Sequence, residues 1–193
     1  MSTGTAAIIA ASPVTATGGV LSAPLGTAAP TDATSELNKL FKALGYVDEA
    51  GVKRTTNSSE EKIKAWGGST VKIVRTEHSV AYTFSFLESA NATVLKAIYG
   101  EENVTITPPT TTHGGLIEIK EKGEMLPPAG YVLDMKDGKT RIREYIPNGQ
   151  LTASGEASFV HSAVIKYDVT IEAMPDSDEV KYIEWQDDGQ KSA

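Results

Sequence analysis

The chain has 193 residues, of which 40% are hydrophobic and 22% are charged, and its formal net charge at pH 7 is −7. This balance predicts one folded core with extensions and excludes a disordered chain, and no stretch reaches the ~18 uninterrupted apolar residues that a membrane span requires. The absence of cysteine excludes a disulfide framework, a thiol nucleophile and a thiolate metal site, so stability has to come from packing or from association with other chains.

The first 31 residues carry no charged side chain and predict an N-terminal extended arm, followed by a single β-rich domain over residues 32–193. A segment of Ala, Thr, Gly, Ser and Pro cannot build a core alone, so it is either a flexible tail or an extended piece that orders against another surface. Its neutrality favours ordering, for example against a neighbouring subunit. The aliphatic residues that would make such arm contacts are Ile8, Ile9, Val20 and Leu21.

Residues 36–69 contain a predicted helix and a predicted loop. Apolar residues recur at helical spacing over residues 36–44, which predicts a short amphipathic helix that ends at Gly45. Its apolar residues are Leu37, Leu40, Phe41 and Leu44. Residues 46–69 are polar and turn-rich and predict a long loop or an extended hairpin, with Trp66 as a buried anchor. Loops of this length are commonly either functional or disordered.

Two elements of different period follow this loop. Large apolar residues alternate with small or hydroxylated ones between Val80 and Phe86, which predicts a strand over residues 71–87 with one face in the core. Residues 88–99 have apolar side chains at 3.6-residue spacing, including Leu95 and Ile98. They predict a single surface helix that packs across the sheet.

Six further strands are predicted between strong turn signals, one of which is Pro147-Asn148-Gly149. They cover residues 103–107, 116–120, 131–135, 141–146, 163–173 and 180–185. Strands at this interval predict a mainly β fold, an antiparallel β-sandwich or open barrel with one flanking α-helix. The strand from Ala163 to Ala173 alternates cleanly, which would give it a length of ~35 Å, one apolar face and one charged face.

The sequence contains no recognisable catalytic or ligand-binding motif. His78, His113 and His161 lie far apart and outside any metal or triad motif, and the glycine pairs lack the spacing of phosphate loops. We therefore predict no enzyme activity and no catalytic, cofactor-binding or metal-binding residue. The C-terminal segment, residues 172–193, carries seven acids and two bases, a net charge of −5. This balance disfavours non-specific nucleic-acid binding, which requires clustered Lys and Arg.

Seven segments carry a resemblance to a known family. They are LGYVDEAGV at 44–52, IKAWGG at 63–68, VKIVRTE at 71–77, YTFSFLE at 82–88, VLKAIYG at 94–100, GEA at 155–157 and DDG at 187–189. In this order they resemble the major tail subunits, or tail tube proteins, of long-tailed, non-contractile phages that infect actinobacteria. The resemblance spans about residues 20–190 and rests on the order and coverage of the segments, since none of them is a catalytic signature.

The resemblance implies a β-sandwich subunit, six copies of which form a ring whose inner sheets join into one continuous barrel. Rings would then stack into the tube of a virion tail after synthesis in the host cytoplasm. The implied partners are further copies of the chain, the tape measure protein in the lumen, the tail terminator and distal tail proteins at the tube ends, and duplex DNA in transit without specific binding. No cofactor and no membrane is implied.

The resemblance also implies which residues meet other subunits. The arm and the loop over residues 46–69 match the extended elements of the family, with Trp66, Gly67 and Gly68 as candidate inter-ring residues. A lumen lined with hydroxyl and acidic groups would repel duplex DNA, which carries one negative charge per ~1.7 Å. Asp168 and Glu172 are therefore the candidate lumen-facing acids.

Two alternatives remain open at this level. One is another phage structural β-sandwich, such as a head decoration or connector protein, which would share the composition but not the long inter-ring loop. The other is a carbohydrate-binding or adhesion module, in which Trp66, Trp185 and Tyr131 would act as stacking platforms.

Overall fold

Eleven β-strands and one α-helix make up most of the regular structure of residues 8–153, 155 and 157–190, the part of the chain that the computed structural model describes. The strands are β1 (Ser12–Pro13), β2 (Val20–Pro24), β3 (Lys42–Ala43), β4 (Lys53–Lys64), β5 (Thr70–Phe86), β6 (Val104–Thr107), β7 (Leu116–Ile119), β8 (Ala129–Asp137), β9 (Thr140–Ala153), β10 (Tyr167–Ala173) and β11 (Ile183–Asp187). The helix is α1 (Ala92–Tyr99), and a short 3-10 helix (Glu101–Asn103) follows it. The predicted mainly β fold with one flanking α-helix is confirmed.

Nine of the strands form one antiparallel sheet in the order β3-β2-β8-β9-β10-β5-β4, with β1 beside β8 and β11 beside β9. Strands β6 and β7 form a separate two-stranded sheet. Over the described residues the large sheet does not close into a barrel, and its arrangement is consistent with a β-sandwich. Within the described part of the chain, its two end strands, β3 and β4, therefore each keep one edge without a strand partner.

Strand β9 joins the parts of the large sheet because it changes partner along one edge. Its first half pairs with β11 and its second half pairs with β10. The turn predicted at residues 147–149 is wrong, since β9 runs through it. The register between β8 and β9 shifts here, and Pro147 falls between the paired residues Ile146 and Gly149. In such a bulge the missing N–H of proline costs no ladder hydrogen bond.

The main core lies against one face of the large sheet and beneath α1. Between Val80 and Phe86 on β5 every second side chain enters it, as predicted, and the rings of Phe84 and Phe86 meet edge to face with centroids 5.0 Å apart. No side chain of residues 70–79 is buried, so the core face predicted from residue 71 is wrong for that part of the strand. Burial of each large apolar side chain contributes roughly 2 kcal/mol. The buried members are Val20, Leu44, Val80, Tyr82, Phe84, Phe86, Val94, Ile98, Tyr131, Leu133, Ile146, Leu151, Val169, Ile171 and Ala173.

The helix α1 begins at Ala92 and not at residue 88, because Asn91 caps it. The Asn91 side chain accepts a hydrogen bond from the backbone N–H of Thr93 at 2.9 Å. Gly100 ends the helix with a φ of 98°, a conformation that favours glycine. The face predicted to pack on the sheet is the buried one, and its innermost members are Val94, Leu95 and Ile98.

Residues 32–44 form a loop and the short strand β3, so the helix predicted over residues 36–44 is wrong. Its apolar side chains point to different places: Leu44 is in the main core, Phe41 is in a second cluster, and Leu40 is 52% exposed. The second cluster lies on the opposite face of β8, and its buried members are Ala23, Phe41, Val132 and Tyr145.

Hydrogen bonds to distant residues hold this loop in its non-helical form. The buried guanidinium of Arg143 donates to the backbone carbonyls of Asp32 and Ser35 at 3.0 and 2.8 Å, and it pairs with Asp134 on β8. The Asp32 carboxylate accepts from the backbone N–H groups of Thr34 and Ser35, and these bonds lower its pKa to about 2. Tertiary partners therefore outweigh the helical spacing of this segment.

Residues 53–86 form a long hairpin, so the long loop predicted over residues 46–69 is wrong for most of its length and the extended hairpin was the correct alternative. Strand β4 pairs with β5 along its whole length, with register shifts at residues 59–60 and 63–64. Every residue of β4 is exposed. Its composition therefore resembles that of a loop, because neither of its faces needs apolar side chains.

Strand β10 covers only Tyr167–Ala173, so the strand predicted from Ala163 is four residues too long at its start. The predicted alternation holds within it, since Val169, Ile171 and Ala173 are buried. Residues 163–166 lie beyond the paired ends of both neighbours, Phe86 on β5 and Ala153 on β9. Without a partner for its backbone on either side, the alternating segment does not continue the sheet.

Gly149 provides a test of the packing at the β9 bulge. A Cβ atom at this position would lie 2.7 Å from Cδ2 of Tyr131 and 2.9 Å from Cγ2 of Ile171. We expect Gly149→Ala to lower the free energy of unfolding by about 1–3 kcal/mol because the core has to shift. Chemical denaturation measures this, with Gly114→Ala as the control, since a Cβ there meets no atom within 4 Å. Equal stability of the two variants would contradict the close packing.

Candidate assembly surfaces

The face of the β5–β10 pair opposite the main core carries only small or polar side chains. Its paired residues are Ala81, Thr83 and Ser85 on β5 and Asp168, Thr170 and Glu172 on β10. The structure therefore brings the two candidate lumen acids onto one face, as the alternation predicted. Asp168 is exposed and accepts a hydrogen bond from the Ser85 hydroxyl, whereas Glu172 is half-buried.

Bases also lie near this polar face. Lys53 on β4 lines the same shallow groove as Asp168 and Gly155. Lys166, just before β10, forms an ion pair with Asp48, and the hydrogen bond from Lys166 holds the pKa of Asp48 below its usual value. The face is therefore polar, with acids and bases side by side.

A five-residue turn, residues 65–69, closes the hairpin. The Ala65 N–H donates to the Ser69 carbonyl at 2.8 Å, and the Gly68 N–H donates to the Ala65 carbonyl at 2.9 Å. Gly67 and Gly68 have φ values of 105° and 90°, which other residues rarely adopt. Trp66 is 107% exposed, so its prediction as a buried anchor is wrong.

Three further apolar side chains are exposed close to this turn. Ile63, Val71 and Ile73 are 46%, 63% and 54% exposed. The sequence pattern had placed Val71 and Ile73 in a core strand, and only the projection of the hairpin leaves them uncovered. We call residues 62–75 the hairpin tip.

The predicted arm divides into two parts. Ile8 is exposed and Ile9 is half-buried, and both stay candidate arm contacts. Val20 and Leu21 instead belong to β2, which pairs with β8 and β3, and Val20 is fully buried in the core. Two strands of the predicted arm therefore belong to the large sheet, because one edge of β8 takes β1 and β2 as partners. Residues 1–7 of the arm and 191–193 of the acidic segment lie outside the described residues.

The three aromatic residues considered for carbohydrate stacking do not form a shared platform. Tyr131 is 4% exposed and lies in the main core. Trp185 is half-buried against the second cluster, and Trp66 lies at the end of the projecting hairpin. The adhesion hypothesis therefore loses the surface on which it depended.

An ion-pair network links the base of the hairpin to the C-terminal strand. Arg54 on β4 donates to Glu144 on β9 and to Glu184 on β11, each at 2.8 Å. The Tyr82 hydroxyl donates to the second oxygen of Glu144 at 2.7 Å. The guanidinium of Arg54 also lies 4.6 Å from the centre of the Tyr182 ring, a cation–π contact. Strands from three distant parts of the sequence are thereby tied together.

The network perturbs the protonation of its members. Burial raises the pKa of Tyr82, and the bond to Glu144 raises it further. The hydrogen bond from Arg54 lowers the pKa of Glu184. Glu144 is 8% exposed, and it occupies a core position between Ile142 and Ile146 on the same face of β9. A charged residue within an apolar alternation indicates a buried polar or charged partner. The sequence of β9 carried this signal at Glu144, and the sequence analysis did not use it.

Removing Arg54 should leave Glu144 without its charged partner. We expect Arg54→Met to lower the free energy of unfolding by about 2 kcal/mol, less than for a fully buried pair because Arg54 is partly exposed. Chemical denaturation measures the loss. Lys120→Ala, which breaks the exposed pair with Glu118, is the matched control and should change stability by less than about 0.5 kcal/mol. Equal effects would show that the network contributes nothing beyond a surface pair.

Glu184 should make the stability of the protein sensitive to acid. Its pKa is lowered from 4.5 in the folded state, so its contribution is present above that value and is lost as the pH falls through the folded pKa. We expect the wild type to lose more stability than Glu184→Gln between about pH 6 and about pH 3. Thermal unfolding across this range measures the difference. Parallel pH profiles would contradict the assigned role.

A family model described as phage tail tube protein matches residues 5–192. A search of curated proteins finds no match. Over the described residues no helix is long and apolar enough to cross a membrane. The matched family consists of structural proteins of the virion tail that self-assemble into a tube. Because the match covers nearly the whole sequence, the chain belongs to the phage tail tube protein family.

Proposed function

We propose that this chain is the major tail tube subunit of a long-tailed, non-contractile phage of actinobacteria. Six copies form a ring, rings stack into the tube, and the tube conducts the genome during ejection. Family membership supports the tail tube role, and the resemblance described above supports the finer assignment. The subunit assembles in the host cytoplasm.

The observation that carries this proposal is the open edge at β4. This strand ends the large sheet, has 12 residues, and is exposed throughout. An unpaired edge of this length invites pairing with another chain. If neighbouring copies join their sheets side by side, each edge gains a partner and the ring closes into a shared barrel.

The polar face of β5 and β10 supports an assignment to the inner wall of such a barrel. With the core on one side of these strands, the hydroxyl groups, Asp168 and Glu172 would face the lumen. DNA carries one negative charge per ~1.7 Å, so acids on the wall disfavour sticking and a few bases such as Lys53 would not create a binding site. The tape measure protein would occupy this lumen before DNA, and the tail terminator and distal tail proteins would cap the ends.

The hairpin and residues 8 and 9 of the arm supply the remaining contacts between copies. Trp66, Gly67 and Gly68 would reach the adjacent ring, since they lie at the end of the projecting hairpin. Ile8 and Ile9 would contact a neighbouring subunit, because their side chains are not buried in their own domain. None of these roles requires a cofactor or a membrane.

Electron microscopy of the purified protein at high concentration tests the proposal. We expect hollow tubes of stacked six-membered rings, with Asp168 and Glu172 on the inner wall when the tube is solved by cryo-electron microscopy. Monomers or trimers at every concentration would contradict tube formation. Tubes in which both acids lie on the outer wall or inside subunit cores would contradict the lumen assignment alone.

A further inference from the structure

The hairpin leaves the body of the protein where strand β5 loses one of its two partners. Strand β10 pairs with β5 only as far as Ala81, opposite Glu172, whereas β4 pairs with it up to Thr70. Between Thr70 and His78 the side chain of Val74 is half-buried and all the others are exposed. No core therefore holds this part of the hairpin, and a two-stranded ribbon is only marginally stable by itself.

Two acids of the body lie opposite each other beside the base of the hairpin. Glu144 on β9 and Glu184 on β11 are directly paired in the register of these strands. Their side chains therefore lie on the same face of the sheet and repel each other. Arg54 on β4 donates to both carboxylates at 2.8 Å. The pair of acids needs a cation between them, and the hairpin supplies it.

Lys181 and Tyr182, just before β11, hold the base of the hairpin at two further points. The Nζ of Lys181 donates to the backbone carbonyl of His78, past the last residue of β5 that pairs with β10. The ring of Tyr182 meets that of Tyr82 edge to face with centroids 6.4 Å apart. Strand β11 is paired with β9 from its first residue, so these contacts connect the hairpin to a fixed part of the sheet. We call residues 181–184 the brace.

Small rotations at the base of the hairpin become large displacements at its tip. Lys64 lies six residues beyond Ser58, the partner of His78, a length of ~20 Å. A rotation of ~10° at the base would therefore move the tip by ~3.5 Å. Groups that bind a partner have to be held within ~0.5 Å of their working position, so contacts at the base decide whether the tip is in place.

Resting on the tube function proposed above, we propose that the brace sets the direction of the hairpin in the free subunit, with Arg54 and Lys181 as positioning residues for assembly. Neither residue has to contact another copy. They restrict the hairpin before copies join, so less conformational freedom is lost in the assembled tube. The alternative is that β5 alone sets the direction, since this strand runs unbroken from the core into the hairpin.

Distances between two spin labels test the brace, because the chain has no cysteine of its own. One label is attached at Lys64→Cys on the hairpin tip and the other at Lys139→Cys in the turn between β8 and β9, two exposed positions. In the unassembled protein we expect one narrow distance distribution. Adding Arg54→Met or Lys181→Met should broaden or shift it by ~3 Å or more, since the hairpin then rotates at its base.

The matched control is Gly149→Ala, which we expect to lower stability at the β9 bulge, where the nearest side chains are those of Tyr131 and Ile171 and not those of the brace. All variants are measured at a temperature at which circular dichroism shows them folded. Equal broadening in the control would overturn the inference, because a general loosening of the fold would then explain the effect. An unchanged distribution in both brace variants would overturn it in favour of β5 alone.

Tube assembly supplies a second readout. The lowest protein concentration that forms tubes should rise about tenfold in Arg54→Met and Lys181→Met, because a freely rotating hairpin has to be ordered when copies join. It should stay near the wild-type value in Gly149→Ala. Broadened distributions with unchanged assembly would overturn the role of the two positioning residues. A wild type that forms no tubes would remove the proposed function, whereas the label distances would still decide whether the brace directs the hairpin.

Discussion

The alternating half of β5 is the constraint on which the rest of the structure depends. Tyr82, Phe84 and Phe86 enter the main core from one face, so the opposite face of the same strand has to remain small and polar. The pairing of β10 on one side and β4 on the other then extends both faces across the sheet. Burial of one face thus produces the core and the polar face of β5 and β10 together, because the side-chain period of a strand is two.

The other half of β5 belongs to the projecting hairpin, and it has no core to stabilise it. Its main-chain bonds to β4 are the principal contacts of the projecting hairpin, whose direction is set at its base. There Arg54 connects β4 to Glu144 and Glu184, and Lys181 binds the carbonyl of His78. A network of partly buried charges costs desolvation energy, but its directional bonds fix the angle between elements in a way that apolar contacts do not.

Several sequence predictions failed where tertiary partners outweighed local pattern. Residues 36–44 have helical spacing, yet Phe41 and Leu44 enter cores on opposite sides of the sheet, and Arg143, more than 100 residues away in sequence, binds the carbonyls of the preceding loop. The sequence of β4 resembles that of a loop, because a strand exposed on both faces needs no apolar alternation. Strand β9 was mispredicted as ending in a turn at Pro147, because a proline within a bulge has the same local sequence as a turn. The pairing with β8 shows that the strand continues with a register shift.

The side-chain pattern was sufficient to predict the strand alternation from Val80 to Phe86 and from Tyr167 to Ala173, the presence of helix α1, and the placement of Asp168 and Glu172 on one polar face. These depend on side-chain period, which is local. The core position of Val20, the full exposure of Trp66 and the ion pair of Glu144 with Arg54 became visible only in the folded chain. Burial and pairing of this kind join residues far apart in the chain, so no short window of sequence contains them.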